Sequence, residues 1–349
     1  MLSSPLRRCL LTNKVLPSDL MVRFELTRPP ASPSSNARFL LQPSRILHPR
    51  FEDRRSREGA TGKAMWVTCW SEAVSTLAQK GSYKRLNSAA AMPPPRAVTA
   101  HVHSLLARRV VHEADLVAER VKAWPATWAT RAEDAPVRRC TVGQVQSAVE
   151  DAARRGRRVM GVLDTSPSGA GAGAGPVQPF SSALTVPSRH PPTRTYCLSQ
   201  FLHNIVLPPS ALVLSPSADA DADADEASSP GTHVLAATRA PLDGLIALLA
   251  RRFARTFDPS ATATSVPVAP EEEEGDAFVL SAPCVLPGMA AAADAVVQRR
   301  QAEDLVPLLV ALERCRLWSG EGWEAEGEEQ EAPGTATTEG RQTPDGVAC

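Results

Sequence analysis

Arginines and lysines gather near the N-terminus around one glycine and one tryptophan: Arg7, Arg8, Arg23, Gly62, Lys63, Trp66, Lys80, Lys84 and Arg85. Guanidinium and ammonium groups are the side chains that neutralise phosphate, and clusters of them supply most of the affinity of a nucleic-acid binder. A tryptophan among them can stack on an unpaired base, an interaction of about 1–3 kcal/mol per base. Trp66 reads two ways from sequence, as a stacking platform or as a core anchor, and Trp70 shares the first reading. The charge distribution sharpens the pattern. Residues 1–87 hold 15 basic and 6 acidic residues, whereas 320–349 holds one arginine against eight acids, so the chain's net charge of zero hides two opposed ends. A basic head points to a polyanionic partner, and an acidic tail to solvation or self-shielding.

Other chemistries fail on spacing. Gly59-Ala60-Thr61-Gly62-Lys63-Ala64 lacks the first glycine of a phosphate-binding P-loop, where Arg57 stands, and the hydroxyl after the lysine, where Ala64 stands. The Gly/Ala run 169–175 follows an expected strand, but Pro176 and Pro179 stand where a dinucleotide site needs a helix. His101 and His103, two apart on an expected helix, face different directions and form no metal pair. Seven cysteines (9, 69, 140, 197, 284, 315 and 349) follow no metal or disulfide spacing and read as free thiols of a reducing compartment. No nucleophile–base pairing is arguable from position. The expectation is a binder without catalysis, cofactor or metal, and no apolar run reaches the length of a membrane span.

The elements that must position these residues follow from local pattern. Asn13-Lys14 marks a turn between apolar runs, Ser18 is a candidate cap for a short helical turn, and Val22–Leu26 alternates at period two with Arg23 and Glu25 on one face. Phe39-Leu40-Leu41 and Met65-Trp66-Val67 read as strands, with the basic run 50–57 as an enlarged loop between them. Gly62 can supply the positive φ of a tight turn. Ser71 is a candidate N-cap for a helix carrying Ala73, Val74 and Leu77, and Gly81 its stop.

These residues carry a resemblance. Arg7-Arg8-Cys9 with Thr12, Val15-Leu16-Pro17, Arg23-Phe24, Gly62 to Val67, Lys80-Gly81 and Lys84-Arg85 are similar to the YlxR (DUF448) family of small nucleic-acid-binding proteins, over about 80 residues. The family pattern Gly-Arg-Gly-x-aromatic is altered here: Lys63 replaces the arginine and Ala64 the second glycine. Lysine keeps the charge but loses the planar fork that grips phosphate in two places. Some relatives carry Cys-x-x-Cys at the start; Cys9 is followed by Thr12, so no metal is implied. The resemblance implies a two-layer domain over 1–92 that binds structured RNA, in ribosome-linked or other RNA processing.

Past the Pro93-Pro94-Pro95 run, read as a hinge, helix 99–124 opens a second unit. Helices over 142–154, 197–207 and 242–257 alternate with strands at 159–163, 211–214 and 234–237, an α/β layered domain over 99–257. Leu105 to Arg109, Val142 to Val145 and Val234 to Phe253 resemble the L7Ae-like domain, without its Gly-x-Asn-Glu RNA-contact signature. That implies the fold without the contact. Disordered loops are expected near 165–180 and 216–230, a linker over 258–288, a helix over 289–318 split or kinked at Pro307, and a disordered tail over 319–349.

The overall class is α/β (α+β). The leading functional reading is a non-catalytic RNA-binding protein working through phosphate-neutralising Arg and Lys. The alternative is a protein–protein adaptor using the basic head and an apolar face on the 289–318 helix. Met1–Leu11 is basic and acid-free, as a mitochondrial presequence is, and the bacterial look of the domain pair points the same way; the cytoplasm is the alternative.

Overall fold

Strand β3 (Met21–Thr27) is the middle of the N-terminal sheet in this computed structural model, which describes residues 4–28, 39–52, 60–124, 135–166, 181–184, 193–203, 238–240, 243, 276–283, 292–321 and 323. Two antiparallel neighbours flank it, β4 (Phe39–Ser44) and β5 (Ala60–Thr68), and the two-residue β6 (Ala90–Ala91) pairs parallel with β4. Alternation sorts the faces as the sequence predicts. Val22 lies opposite Val67, Phe24 opposite Met65 and Leu26 opposite Leu41, all of them buried. Arg23 and Glu25 share the other face. A hairpin of β1 (Leu6–Arg8) and β2 (Val15–Pro17) precedes the sheet, and its turn holds Asn13 at φ 58°.

Helix α1 (Ser71–Lys80) covers the apolar face with Ala73, Val74 and Leu77. It stops at Gly81, whose left-handed φ of 59° suits the residue without a Cβ. The two expected caps do not form. Trp70 occupies the N-cap of α1 with no side-chain hydrogen bond, and Pro17 precedes the 3₁₀ turn Ser18–Leu20 in the same way. The proline run is no hinge: Pro95 is the first residue of α2 (Pro95–Lys122), where its missing N–H costs nothing.

The second sheet contains β7 (Val137–Cys140), β8 (Arg157–Asp164), β9 (Ser181–Leu184), β10 (Thr193–Cys197) and β11 (Ala277–Pro283), in the order β7-β11-β8-β10-β9. β8 and β10 run parallel; the other pairs are antiparallel. Successive residues of the central strands serve different cores. Val162, Ala277 and Val279 pack with Val145, Ala148 and Val149 of α3 (Val145–Arg154). Leu163, Phe278 and Leu280 join α2, α4 (Leu198–His203) and α5 (Ala292–Trp318) in the larger core. That larger core also contains Val22, Phe24 and Met65, so α2 and α5 are shared between the two sheets.

The mixed α/β class holds, and three finer expectations are narrowed. The stretch 258–288 is not all linker: β11 lies inside the second sheet with every residue from Ala277 to Ala282 buried. The apolar face expected to serve a partner on helix α5 is largely used within the chain, because Leu305, Leu308, Leu312, Cys315 and Trp318 are fully or almost fully buried in the shared core. α5 is also a single helix on both sides of Pro307, not split there. The strands expected at 211–214 and 234–237, most of the 242–257 helix, the loops near 165–180 and 216–230, and nearly all of the tail lie outside the described residues.

Candidate nucleic-acid interface

The face of the N-terminal sheet opposite its apolar core gathers part of the basic set. Trp66 is half-buried there, lies across from Arg23 in the register, and takes no part in the apolar core. The structure thereby answers the two readings of this residue in favour of a surface position. The β1–β2 hairpin is fastened beside it. Leu10 N–H donates to the Trp66 carbonyl at 2.9 Å, which satisfies an acceptor on the free edge of β5. The Cys9 sulfur accepts from Thr68 N–H at 3.4 Å and Thr68 Oγ1 at 3.0 Å. Burial pushes the Cys9 thiol up, but hydrogen bonds from Thr12 and Thr68 outweigh it and leave the thiol below its ordinary value. Cys9 is thus a fastening point for the hairpin.

That fastening brings Arg7 over the indole, with its guanidinium carbon 6.0 Å from the ring centroid. At this distance on an exposed residue the cation–π attraction is worth about 0.5–1 kcal/mol, little enough for Arg7 to swing toward a phosphate. Arg8, the next residue of the strand, is exposed and points to the other side of the hairpin.

Lys63 reaches solvent by a different device. Glu25 pairs with Ala64 and Thr27 with Ala60, so Leu26 alone faces Thr61, Gly62 and Lys63. The surplus residues form a bulge, and Gly62 adopts φ 76° within it. A Cβ at Gly62 would meet nothing within 4 Å, so glycine is favoured here by backbone conformation, not by space. Thr61, which sequence reasoning passed over, pins the bulge: its Oγ1 donates to the Leu26 carbonyl at 3.0 Å and accepts from Lys63 N–H at 3.3 Å. The signal was present as Thr-Gly-Lys, a hydroxyl beside a turn glycine.

Other members of the expected set are placed apart. Arg23 is committed within the protein: its side chain, 10% exposed, pairs with Glu25 at 2.6 Å and donates to Ser44 Oγ at 3.2 Å. It braces the outer face and is corrected from ligand contact to support. Lys80 ends α1, and Lys84 and Arg85 lie in the 3₁₀ turn Ser82–Arg85; all three are exposed. That turn packs against β6, at the opposite edge of the sheet from β5. The basic residues therefore form two groups, not one convergent patch. Trp70 is no second platform, since it packs against the core with its indole N–H side near Gly320.

Among the described residues no group of three His, Cys, Asp or Glu side chains could hold a metal ion, and no helix is long and apolar enough to cross a membrane. His101 and His103 do point apart: His103 is buried and stacks on Phe201 at 3.9 Å, while His101 is exposed. Compared with known proteins, the chain matches no family model, no curated protein and no solved structure.

Proposed function

We propose that the protein binds RNA without catalysis, through the outer face of its N-terminal sheet. The observation that carries the reading is Trp66, half-buried on a sheet face away from the core, with exposed Arg7 over its ring and the Lys63 bulge on the same strand. An indole so placed offers one face to an unpaired base, while the flanking cations take the adjoining phosphates. Lys80, Lys84 and Arg85 at the far edge extend the contact to a second stretch of backbone. RNA is the partner this arrangement suits best, because aromatic stacking on a sheet reads splayed bases of loops and single strands. The likeness of residues 1–92 to the YlxR family supports the same reading and points to processing of structured or ribosome-linked RNA. The adaptor reading has less to support it, because Leu305, Leu308 and Leu312 of that helix are spent inside the chain, and of its described apolar residues only Val296 and Val306 are exposed.

The test is RNA affinity measured at two salt concentrations for the wild type and for Lys63→Glu combined with Arg85→Glu. The double variant binds more weakly and its affinity depends less steeply on salt. Unchanged affinity at both concentrations overturns the proposal.

A further inference from the structure

A second candidate site lies away from the sheet face, where four separated segments meet. A cleft of about 330 Å³ is lined by Asp19 from the 3₁₀ turn before β3, by Arg45, Leu47, Pro49 and Glu52 from the segment after β4, by Arg109 of α2 and by Arg314 of α5. Its volume falls at the lower end of small-molecule pockets. Three guanidiniums and two carboxylates share this small cleft, and the carboxylates are not spread evenly among the guanidiniums.

Arg314 is the least compensated. Its residue is 7% exposed, it donates to the Ile46 carbonyl at 3.5 Å and the Met21 carbonyl at 3.2 Å, and its Nε has no hydrogen-bond partner. Among the described residues no carboxylate stands within ion-pair distance of it. Arg109 pairs with Glu113 at 2.6 Å, but Glu113, fully buried, is shared with Arg120 at 3.7 Å. A buried guanidinium left short of counter-charge is costly, and a bound dianion with several acceptor oxygens relieves it.

The two carboxylates narrow the ligand. Asp19 and Glu52 repel a bare anion, yet they accept hydrogen bonds from hydroxyl groups, as acidic side chains do from ribose. Leu47 and Pro49 add an apolar wall. We infer that this cleft binds a phosphorylated ribose, its phosphate on Arg314 and Arg45 and its hydroxyls on Asp19 and Glu52. Two sources share that chemistry: a free nucleoside monophosphate and the 5′-phosphorylated end of an RNA. The site stands independently of the sheet face.

The experiment titrates the full chain with AMP and with adenosine, and separately with one RNA oligonucleotide carrying a 5′-phosphate or a 5′-hydroxyl. Arg314 also braces Met21 and Ile46, so Arg314→Met is paired with Arg45→Gly. Arg45 sits at φ 55°, where glycine is at ease, so its replacement removes charge and keeps the fold. The expected result is AMP at least tenfold tighter than adenosine, and at least fivefold weaker AMP binding in Arg45→Gly with an undiminished melting temperature. A tenfold gain from the 5′-phosphate, with or without AMP binding, assigns the site to an RNA end; AMP binding without that gain assigns it to the free nucleotide. Equal binding of AMP and adenosine together with no gain from the 5′-phosphate overturns the inference. So does phosphate-dependent binding that survives undiminished in both variants. Binding of the 5′-hydroxyl oligonucleotide reads the sheet face separately, so the two readings can fail independently.

Discussion

The Arg7 guanidinium lies 6.0 Å from the centre of the Trp66 ring, on the side of the sheet that the core does not use. Neither residue is near the other in sequence; the Cys9–Thr68 and Leu10–Trp66 hydrogen bonds bring them together. The hairpin therefore acts as a lever arm for charge, and what it positions is a cation beside an aromatic face.

Lys63 and Arg85 stand on opposite edges of that sheet, so their contributions should be independent. Each charge reversal leaves at least one phosphate without its cation, and the double variant should show the sum of the two losses in binding free energy to within about 0.5 kcal/mol. The slope of log affinity against log salt should flatten by about one for each phosphate no longer neutralised. Binding titrations across a salt series for both singles and the double check this.

Arg23 behaves differently, because it is inside. Removing it by Arg23→Ala strands Glu25, whose side chain is 12% exposed, and should cost about 3 kcal/mol of folding stability. Urea unfolding measures that loss. The folded variant should retain RNA affinity within about twofold, a margin equal to roughly 0.4 kcal/mol.

Acid should destabilise the fold through two histidines on α2. Burial pushes His103 down to about 3, and burial with nearby Arg108 and Arg109 pushes His112 down to about 4. His103 stacks on Phe201 and His112 on Phe51, at 3.9 and 4.1 Å. In each case the unfolded chain binds the proton more tightly, so the stabilisation is complete above the ordinary histidine value of about 6.5 and falls as the pH drops toward 4. The urea midpoint should fall between pH 7 and pH 5 in the wild type. His103→Leu should flatten that dependence, whatever it does to stability at pH 7.

Helix α5 ties the two sheets together, so a cavity in it should be felt by both. Leu312 is fully buried, and Leu312→Ala should cost about 2–5 kcal/mol. The predicted unfolding remains a single transition monitored at either sheet. A loss confined to the second sheet would show that α5 does not couple the two.

How much of this was legible depended on whether the signal was local. Strand β3 announced itself because one face is apolar and the other polar, which writes alternation into Val22–Leu26, and β5 because Met65-Trp66-Val67 is a short apolar and aromatic run. Gly81 and Gly62 were legible for a related reason, since a positive φ leaves its mark on a single residue. Strand β11 was not, because both faces of Ala277–Ala282 are covered and no alternation survives. A six-residue apolar run amid prolines and glutamates then reads as linker. Arg23 was misjudged on charge alone: its register opposite Ser44 and beside Glu25 decides its role, and register is not written in a strand's own residues. The α5 stripe was legible as apolar, but its partners were not, since the residues its long-range hydrogen bonds reach lie 117 to 293 positions earlier. The cleft around Arg314 was invisible for the same reason: Asp19, Arg45, Arg109 and Arg314 share no local pattern.

The central claim is that RNA lies on the Trp66 face, and ultraviolet crosslinking of the full chain to RNA, followed by mapping of the modified peptides, tests it most directly. The account predicts crosslinks on Trp66 and on β1, abolished by Trp66→Ala together with about 1–3 kcal/mol of affinity. Crosslinks confined to the second sheet or the helices, with Trp66→Ala binding as tightly as the wild type, would contradict it.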